Sequence, residues 1–232
     1  MISIVMPAHN EQGYLESAVK SVVTGLRDRG MEFEVVVAEN GSVDASAFES
    51  DDLQGLFSEV VVVHLPEADY GRALRAGFLA SHGEIVANFD VDFVDLGFLD
   101  RALQILEDPK VSVVVGSKRA PGAVDQRGAG RKLVTTVFTL MLRRGFGLGV
   151  TDTHGIKAVR RSILLPIVES CSFGKDIYDT EVILRAERAG LEVVEVPVSV
   201  AEVRPARTPI LRRIPRSLLG LARLRIALWR AG

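Results

Sequence analysis

Cysteine and tryptophan are almost missing from this chain of 232 residues, which has one of each. A single thiol, Cys171, cannot form a disulfide within the chain or join a second thiolate in a metal site, so a reducing compartment is expected. Cys171 is interpreted as a small apolar filler rather than a nucleophile. The N-terminus also lacks the basic start and apolar run of a signal peptide, so a cytoplasmic location is expected.

Long hydrophobic runs are absent as well. The apolar stretch from Leu133 to Leu142 is far shorter than the roughly 20 residues that cross a bilayer, so no membrane-spanning helix is predicted. With 47% hydrophobic and 25% charged residues, the composition is that of an ordinary globular protein. The length favours one large domain with a substantial core.

Charge is nearly balanced overall but unevenly distributed. Residues 204–232 hold eight arginines and no acid, a net charge of +8. Of the 28 basic and 30 acidic residues in the chain, residues 1–203 therefore hold 20 and 30, a net charge of −10. A basic segment on an acidic body indicates an anionic partner at this end, either a membrane surface or a nucleic acid.

The same basic segment has the periodicity of a helix. At about 100° per residue, Ile210 to Arg230 gathers all its arginines except Arg225 on one arc, and an apolar face that includes Trp229 lies opposite. Such a helix fits an anionic membrane interface. Packing of its apolar face on the protein's own core or on a second subunit is an equally good interpretation.

In the first half of the chain, short apolar runs rich in β-branched residues alternate with stretches of helical period. The predicted strands are Ile2 to Met6, Phe33 to Ala38, Val60 to Val63, Ile85 to Phe89 and Val111 to Val115. The predicted helices are Glu11 to Arg29, Asp44 to Leu56, Gly71 to Ser81 and Leu96 to Glu107. This alternation predicts an α/β fold with a mostly parallel sheet flanked by helices.

Beyond the fifth strand the pattern is less regular. A Gly- and Arg-bearing loop is expected from Gly116, followed by an apolar helix from about Leu133 to Arg143. A further helix is expected near Asp176 to Ala189, and a strand from Leu191 to Val196.

Polar residues follow three of the predicted strands, at the edge where open α/β sheets bind ligands. They are His9-Asn10-Glu11, Glu39-Asn40-Gly41 and Asp90-Val91-Asp92. Two carboxylates one residue apart suit Mg²⁺ or Mn²⁺, which prefer oxygen ligands and complete their shell with water and substrate phosphate. Taken alone, the two acids are better interpreted as solvated turn residues, and the Asn-Gly turn could be purely structural.

The three clusters in this order resemble glycosyltransferase family 2, whose members have the GT-A fold. The motifs are VMPAHNE, ENGSVD and YGRALRAGFLASHGEIVANFDVD, and at fitting intervals they are far more specific than any one of them. The resemblance implies one GT-A domain over residues 1–203, with a nucleotide-sugar half (1–115) and an acceptor half (116–203). The basic amphipathic segment 204–232 would follow it.

The resemblance also implies roles for individual residues on the donor side. The residues that would bind the nucleotide sugar are Pro7, Ala8, His9, Glu11, Glu39, Asp44, Arg72, Asp90 and Val91. Asp90 and Asp92 would hold a divalent metal, Mg²⁺ or Mn²⁺, with Asp92 as the main ligand and a catalytic residue. Two positions depart from the family pattern: Glu39 replaces an Asp, and Val94 replaces a frequent Gln ligand, for which Asp95 could compensate.

The second half narrows the resemblance to dolichyl- and polyprenyl-phosphate mannosyl- and glucosyltransferases. The motifs are GSKR, TDTHGIKAVRR and FGKDIYDTEVILRAERAGLEVVEVPV. In that group, cationic residues after the fifth strand hold the acceptor's phosphate. The matching residues here are Lys118, Arg119, Arg131 and Thr135. A basic solvated loop is the alternative.

The class of acceptor decides what catalysis requires. A phosphate monoester, with a second pKa of about 6, is already mostly ionised and can attack without a strong base. A sugar hydroxyl would need a carboxylate base, for which Asp152, Asp179 and Glu181 are candidates. Because Asp179 and Glu181 lie two apart on a helix, only one is expected in the cleft, with the other at the surface or capping the helix.

The hypothesis is therefore an inverting, metal-dependent transfer of mannose or glucose from a GDP- or UDP-sugar, GDP-mannose or UDP-glucose, to a polyprenyl phosphate. The protein would sit peripherally at the cytoplasmic face of the membrane, with no nucleic acid as a partner. The alternatives are transfer to a soluble or saccharide acceptor and a catalytically silent nucleotide-sugar-binding module. The base, the sugar, the lipid length and the oligomeric state stay open.

Overall fold

The computed structural model describes residues 1–126, 128–174, 177–200 and 210–230, without the side chains of residues 131, 210–217 and 229–230. The strands are β1 (Ile2–Ala8), β2 (Phe33–Asn40), β3 (Val60–Leu65), β4 (Ile85–Asn88), β5 (Val111–Ser117), β6 (Val124–Asp125), β7 (Lys157–Arg160), β8 (Glu192–Pro197) and β9 (Ser199–Val200). The helices are α1 (Leu15–Asp28), α2 (Ser46–Leu56), α3 (Tyr70–Ala80), α4 (Leu96–Ile105), α5 (Ala129–Phe146), α6 (Arg161–Ser170), α7 (Tyr178–Arg188) and α8 (Ile210–Arg230).

Seven of these strands form the central sheet, in the order β3-β2-β1-β4-β7-β5-β8. All neighbours run parallel except β7, which is antiparallel to both β4 and β5. The predicted α/β fold with a mostly parallel sheet is thus confirmed. Strand β6, which lies in the segment after β5 that was expected to be a loop, pairs with β9, which follows β8.

Alternate residues of each strand face opposite layers of helices, because side chains alternate across a sheet. Ile4 and Met6 of β1 face a core that includes α1, α2 and α4. Val5 of the same strand faces a second core that includes α3 and α5 to α8. Both faces of the sheet are therefore covered, which leaves the carboxyl edge of the parallel strands for ligands.

The C-terminal helix α8 packs on the second core through Leu221, Leu224 and Leu228, which are all buried. Gly220 lies so close to Ile177 that an added Cβ would come within 2.5 Å of its Cγ1. In this part of α8 the apolar face therefore packs on the protein's own core, which was one of the two interpretations of the basic segment. Most of the arginine arc and Trp229 lie outside the described side chains. None of the helices in the described ranges has the length and apolar character that a membrane crossing needs.

Candidate active site

The turns after β1 and β2 are joined by hydrogen bonds at the carboxyl edge of the sheet. His9 Nδ1 lies 2.8 Å from the Asn40 carbonyl oxygen. Asn10 donates its backbone N–H to Ser42 Oγ at 3.0 Å, and its side-chain oxygen accepts from the Val43 N–H at 2.9 Å. Asn10 has a left-handed backbone with φ of 54°, which asparagine tolerates better than most residues. Two of the three sequence motifs therefore form one structural unit.

Two acids of this unit bind the backbone of the second turn. Glu39 is buried; its Oε1 accepts from the Ser42 N–H at 2.7 Å, and its Oε2 lies 3.4 Å from His64 Nδ1. Asp44 Oδ1 accepts from the Ser46 N–H at 2.9 Å. Burial opposes ionisation of Asp44, but the hydrogen bonds from Ser46 outweigh it and lower the pKa. Both carboxylates thus have a structural role, and ligand contacts by either stay a prediction.

Several predicted donor-side residues reach this edge mainly through their backbone. The side chains of Pro7 and Ala8 at the end of β1 and of Val91 after β4 are buried. Glu11 is partly buried and donates its backbone N–H to Ser46 Oγ at 2.7 Å. A base or ribose at this edge would therefore meet the main chain of Pro7, Ala8 and Val91.

Helix α3 begins beside the carboxyl end of β4. Asp69 caps the helix: its Oδ1 accepts from the Arg72 N–H at 3.1 Å, while its own N–H donates to Asn40 Oδ1 at 2.7 Å. Arg72, predicted near the diphosphate, has a side chain that is 71% exposed at this end of the helix. The next residue along from the cap, Tyr70, donates its hydroxyl to Asp90 Oδ1 at 3.2 Å.

Asp90 and Asp92 share their surroundings with Asp179, from the first turn of α7, and with Lys157, from the start of β7. Lys157 Nζ lies 2.6 Å from Asp179 Oδ1, and both side chains are buried. Burial raises the pKa of Asp90 to about 6, with the charges of Asp92 and Asp179 adding to the effect and Lys157 opposing it. Three carboxylates against one ammonium leave this edge with a negative charge.

This charge suits a divalent cation. Within the described ranges, no three acidic, imidazole or thiol groups lie close enough to hold a metal by themselves. Mg²⁺ and Mn²⁺ do not require that, since one or two carboxylates and substrate phosphates commonly hold them. Asp95, which could compensate for the missing Gln ligand, caps α4 by accepting from the Phe98 N–H at 2.7 Å, and its role as a ligand stays a prediction.

At the acceptor side, the predicted base Asp152 and the predicted phosphate ligand Lys118 bind each other. Lys118 Nζ donates to Asp152 Oδ2 at 2.5 Å, with side chains that are 12% and 3% exposed. Burial opposes ionisation of Asp152, but the charge of Lys118 outweighs it and lowers the pKa. Asp152 is therefore a weak base, and Lys118 does not lie on a merely solvated loop.

The other predicted acceptor-phosphate residues lie on or beside α5. Arg119 Nη1 donates to Thr136 Oγ1 at 2.8 Å, which links the segment after β5 to this helix. Thr135, one residue earlier, is partly buried. Arg131 is on the first turn of α5, but its side chain lies outside the described residues. Phe138 packs edge-on against His154 with ring centroids 5.6 Å apart, so α5 borders the loop that carries Asp152.

Asp179 and Glu181 point to different partners, as their spacing requires. Asp179 faces Lys157, whereas Glu181 is fully buried and accepts from the Ser172 and Phe173 N–H groups. Arg185 also pairs with Glu181 at 2.8 Å. A surface or capping role is therefore wrong for Glu181, because its buried carboxylate satisfies the backbone N–H groups of Ser172 and Phe173.

Residues 3–166 match the family described as Glycosyl transferase family 2. The chain belongs to this family. As the sequence predicts, it is a glycosyltransferase. The sequence is similar to glycosyltransferase AglD of Haloferax volcanii, with 28% identity over 202 residues that make up 85% of this chain and 32% of AglD. It therefore spans only about a third of that relative's length.

Two further similar proteins have names that state a substrate. A dolichyl-phosphate beta-glucosyltransferase of Trichomonas vaginalis is 25% identical over 222 residues, 90% of this glycosyltransferase and 68% of that protein. Glucosyl-3-phosphoglycerate synthase from Mycobacterium tuberculosis, solved with Mn²⁺ and UDP-glucose, superposes with a TM-score of 0.63 and 25% identity. That match covers 93% of this chain and 74% of the synthase. The predicted GT-A fold is confirmed by this likeness.

Sequence reasoning missed three residues that shape the site of this glycosyltransferase. Tyr70 binds Asp90, and Lys157 binds Asp179. Glu195 accepts from the Thr151 N–H at 2.9 Å and from the Asp152 N–H at 3.1 Å. It therefore holds the loop in which Asp152 binds Lys118. A signal was present for two of them, because Lys157 and Glu195 are lone charges within short apolar runs, where an unpaired charge would be costly.

Proposed function

We propose that this glycosyltransferase transfers mannose or glucose from a GDP- or UDP-sugar to a polyprenyl phosphate, with inversion and with dependence on Mg²⁺ or Mn²⁺. The proposal rests on one observation. Because β2, β1 and β4 are parallel neighbours, Asp90 and Asp92 lie at the same edge of the sheet as the joined turns after β1 and β2. A nucleoside diphosphate can lie along that edge with its base at the turns and its phosphates at the carboxylates. A structural neighbour with Mn²⁺ and UDP-glucose supports such a donor.

Asp90 and Asp92 would hold the metal, whose chemistry when bound is to neutralise charge on the departing nucleoside diphosphate. Tyr70 keeps Asp90 oriented toward this position through its 3.2 Å hydrogen bond. Lys157 offsets the charge of Asp179, which is a third carboxylate beside the two proposed ligands. The Lys157–Asp179 pair, which comes from the acceptor half, and the Tyr70–Asp90 bond would preorganise the metal site before substrate binds.

The state of the acidic residues favours a phosphate nucleophile. Asp152 is paired with Lys118 and has a lowered pKa, and Asp179 is paired with Lys157. Neither carboxylate is arranged as the strong base that a sugar hydroxyl requires. An ionised phosphate oxygen would attack the anomeric carbon directly, and the bond from that carbon to the diphosphate oxygen would break on the opposite side. The relative named as a dolichyl-phosphate glucosyltransferase supports this acceptor class.

The direct test incubates the purified protein with GDP-mannose or UDP-glucose, Mn²⁺ or Mg²⁺, and polyprenyl phosphate, and measures sugar in the lipid extract. Asp92→Asn should lower transfer by at least about hundredfold and abolish metal-dependent binding of the nucleoside diphosphate. Asp100→Asn is the matched control, because this acid on α4 pairs with Arg29 at 2.9 Å outside the site. Absence of transfer with every donor and metal, together with metal-independent nucleotide binding, would contradict the proposal.

The acceptor part is tested separately. If the protein transfers sugar to a soluble phosphate or saccharide but never to the lipid phosphate, the donor assignment stands and the acceptor assignment is wrong. If hydroxyl acceptors react and the rate of transfer rises with pH, a carboxylate acts as a base, and the proposed attack by a phosphate without a base is wrong.

A further inference from the structure

We infer that the outer face of α5 docks on an anionic membrane surface. Leu133, Val137 and Leu140 on this helix have side chains that are 65%, 48% and 45% exposed. Their spacing of four and three residues places them in one strip along the helix. The apolar groups that such a helix would normally bury are here turned toward solvent.

Cations lie along one margin of the apolar strip and within it. The α5 sequence contains four basic residues and no acid, and Lys132, Arg143 and Arg144 are exposed. At 100° per residue, Lys132 and Arg143 fall on one margin of the strip and Arg144 falls within its other side. Exposed apolar side chains next to basic ones, with no acid on the helix, are typical of helices that lie in the membrane interface. A second copy of this chain is a poor occupant, because it would bring two basic faces together.

The opposite face of α5 is fixed to the acceptor half. Leu142 is buried in the second core, and Thr139 Oγ1 donates to the Thr151 carbonyl oxygen at 3.1 Å. Arg119 binds Thr136 of the same helix. A membrane beneath the outer face would therefore lie beside the segment that carries Lys118 and Arg119, where a lipid phosphate could reach both. The inference rests on the proposed function, which makes a lipid phosphate the acceptor.

Helix α8 competes for the same role and is less suitable. Its buried leucines, Leu221, Leu224 and Leu228, already pack on the core. Within residues 218–228, its exposed apolar side chains are Leu218, Leu219 and Ile226. Arg225 binds back to the Gly145 carbonyl oxygen and stacks over Phe146. Among the described side chains of α8, residues 218–228, Arg225 is thus engaged with α5, while Lys132, Arg143 and Arg144 of α5 are exposed.

The test measures cosedimentation with vesicles of phosphatidylcholine and phosphatidylglycerol, and with phosphatidylcholine alone. Leu133→Glu should lower the apparent affinity for the anionic vesicles by at least about tenfold. Leu56→Glu on α2 is the matched control, since Leu56 is 62% exposed and lies at the other side of the sheet. Leu219→Glu tests α8 at a position that is 54% exposed. Both should bind the vesicles like the unaltered protein.

Several results would overturn the inference. They are no binding of the unaltered protein to anionic vesicles, equal binding by the Leu133→Glu and Leu56→Glu proteins, or a loss confined to Leu219→Glu. A dimer without vesicles that Leu133→Glu splits would assign the face to a second copy instead. If Leu133→Glu lowers the melting temperature, Leu140→Gln replaces it under the same criteria.

Metal-dependent binding of UDP or GDP, measured by calorimetry on the same proteins, separates this inference from the proposed function. Retained nucleotide binding without vesicle binding overturns only the α5 inference. Transfer assays add a second separation: Leu133→Glu should lower transfer to vesicle-embedded polyprenyl phosphate and leave transfer to a short, water-soluble prenyl phosphate unchanged.

Discussion

Different kinds of contact hold the donor edge, formed by residues 1–115, and the acceptor edge, formed by residues 116–203. At the donor edge, Asn10, Glu39 and Asn40 use their side chains mainly to bind backbone N–H groups of neighbouring turns. At the acceptor edge, buried carboxylates pair with cations, as in Lys118 with Asp152 and Lys157 with Asp179. The donor edge is therefore a set of many small contributions, and the acceptor edge depends on a few strongly coupled charges.

The difference has an energetic consequence. A hydrogen bond from a side chain to the backbone contributes about 1 kcal/mol, so the loss of one is tolerated. Removing one partner of a buried ion pair leaves an uncompensated charge, at a cost of about 3–5 kcal/mol. The acceptor edge should thus be the more fragile of the two, although it contains fewer of the recognisable motifs.

The largest effect is expected for Lys157→Met. The substitution leaves the buried Asp179 carboxylate without its cation, so the free energy of unfolding should fall by about 3–5 kcal/mol. Urea denaturation followed by circular dichroism measures this change.

A double variant and an exposed pair provide the controls. Lys157→Met with Asp179→Leu removes both charges and should recover much of the lost stability. Arg27→Ala breaks the pair of Arg27 with Glu59, whose arginine is half exposed, and should change the stability little. If Lys157→Met and Arg27→Ala lowered the free energy of unfolding equally, buried and exposed ion pairs would not differ in this protein.

The same contrast explains what the sequence could and could not predict. The first five strands and the helices between them were predicted, with ends within a few residues of those observed, because each is a local pattern of apolar residues. The polar residues after β1, β2 and β4 were expected at one edge for the same reason. Parallel strands place their carboxyl ends together, and a βα repeat makes the sheet parallel.

The structure of the acceptor half was harder to predict, because its strand pairing and its ion pairs join residues that are far apart in the sequence. Strand β7 has only four residues and enters the sheet antiparallel between β4 and β5, so neither its length nor its pattern indicated a strand. Helix α6 contains Pro166, a residue that normally argues against a helix. The partners of Lys118 and Lys157 lie 34 and 22 residues further along the chain, a pairing that only the tertiary fold establishes.

A smaller effect is expected for Asp152→Asn, because Lys118 is slightly more exposed than Lys157 and can reach water. We expect a loss of about 2 kcal/mol in the free energy of unfolding near neutral pH. The pKa of Asp152 is lowered in the folded state, so its contribution is present above the unfolded pKa and disappears as pH falls through the folded one. The gap between the two proteins should be constant above about pH 5 and should narrow below about pH 4.

Urea midpoints measured across this pH range test the Asp152 expectation. Asp100→Asn serves as the control for a surface carboxylate, with a small gap at every pH. A gap between Asp152→Asn and the unaltered protein that widens on acidification would have the wrong sign for a lowered pKa and would contradict the pairing with Lys118.

The smallest effect is expected at the donor edge, for Asp69→Ala. Asp69 caps α3 by accepting from the Arg72 N–H, and loss of this cap should lower the free energy of unfolding by about 1 kcal/mol. Asp95→Ala removes the equivalent cap of α4 and should have a similar effect. Thermal unfolding compares the two variants directly. A loss at Asp69 as large as that for Lys157→Met would mean that the donor edge also depends on single strong contacts, because the carboxylate of Asp69 lies close to Gly174 beside α7.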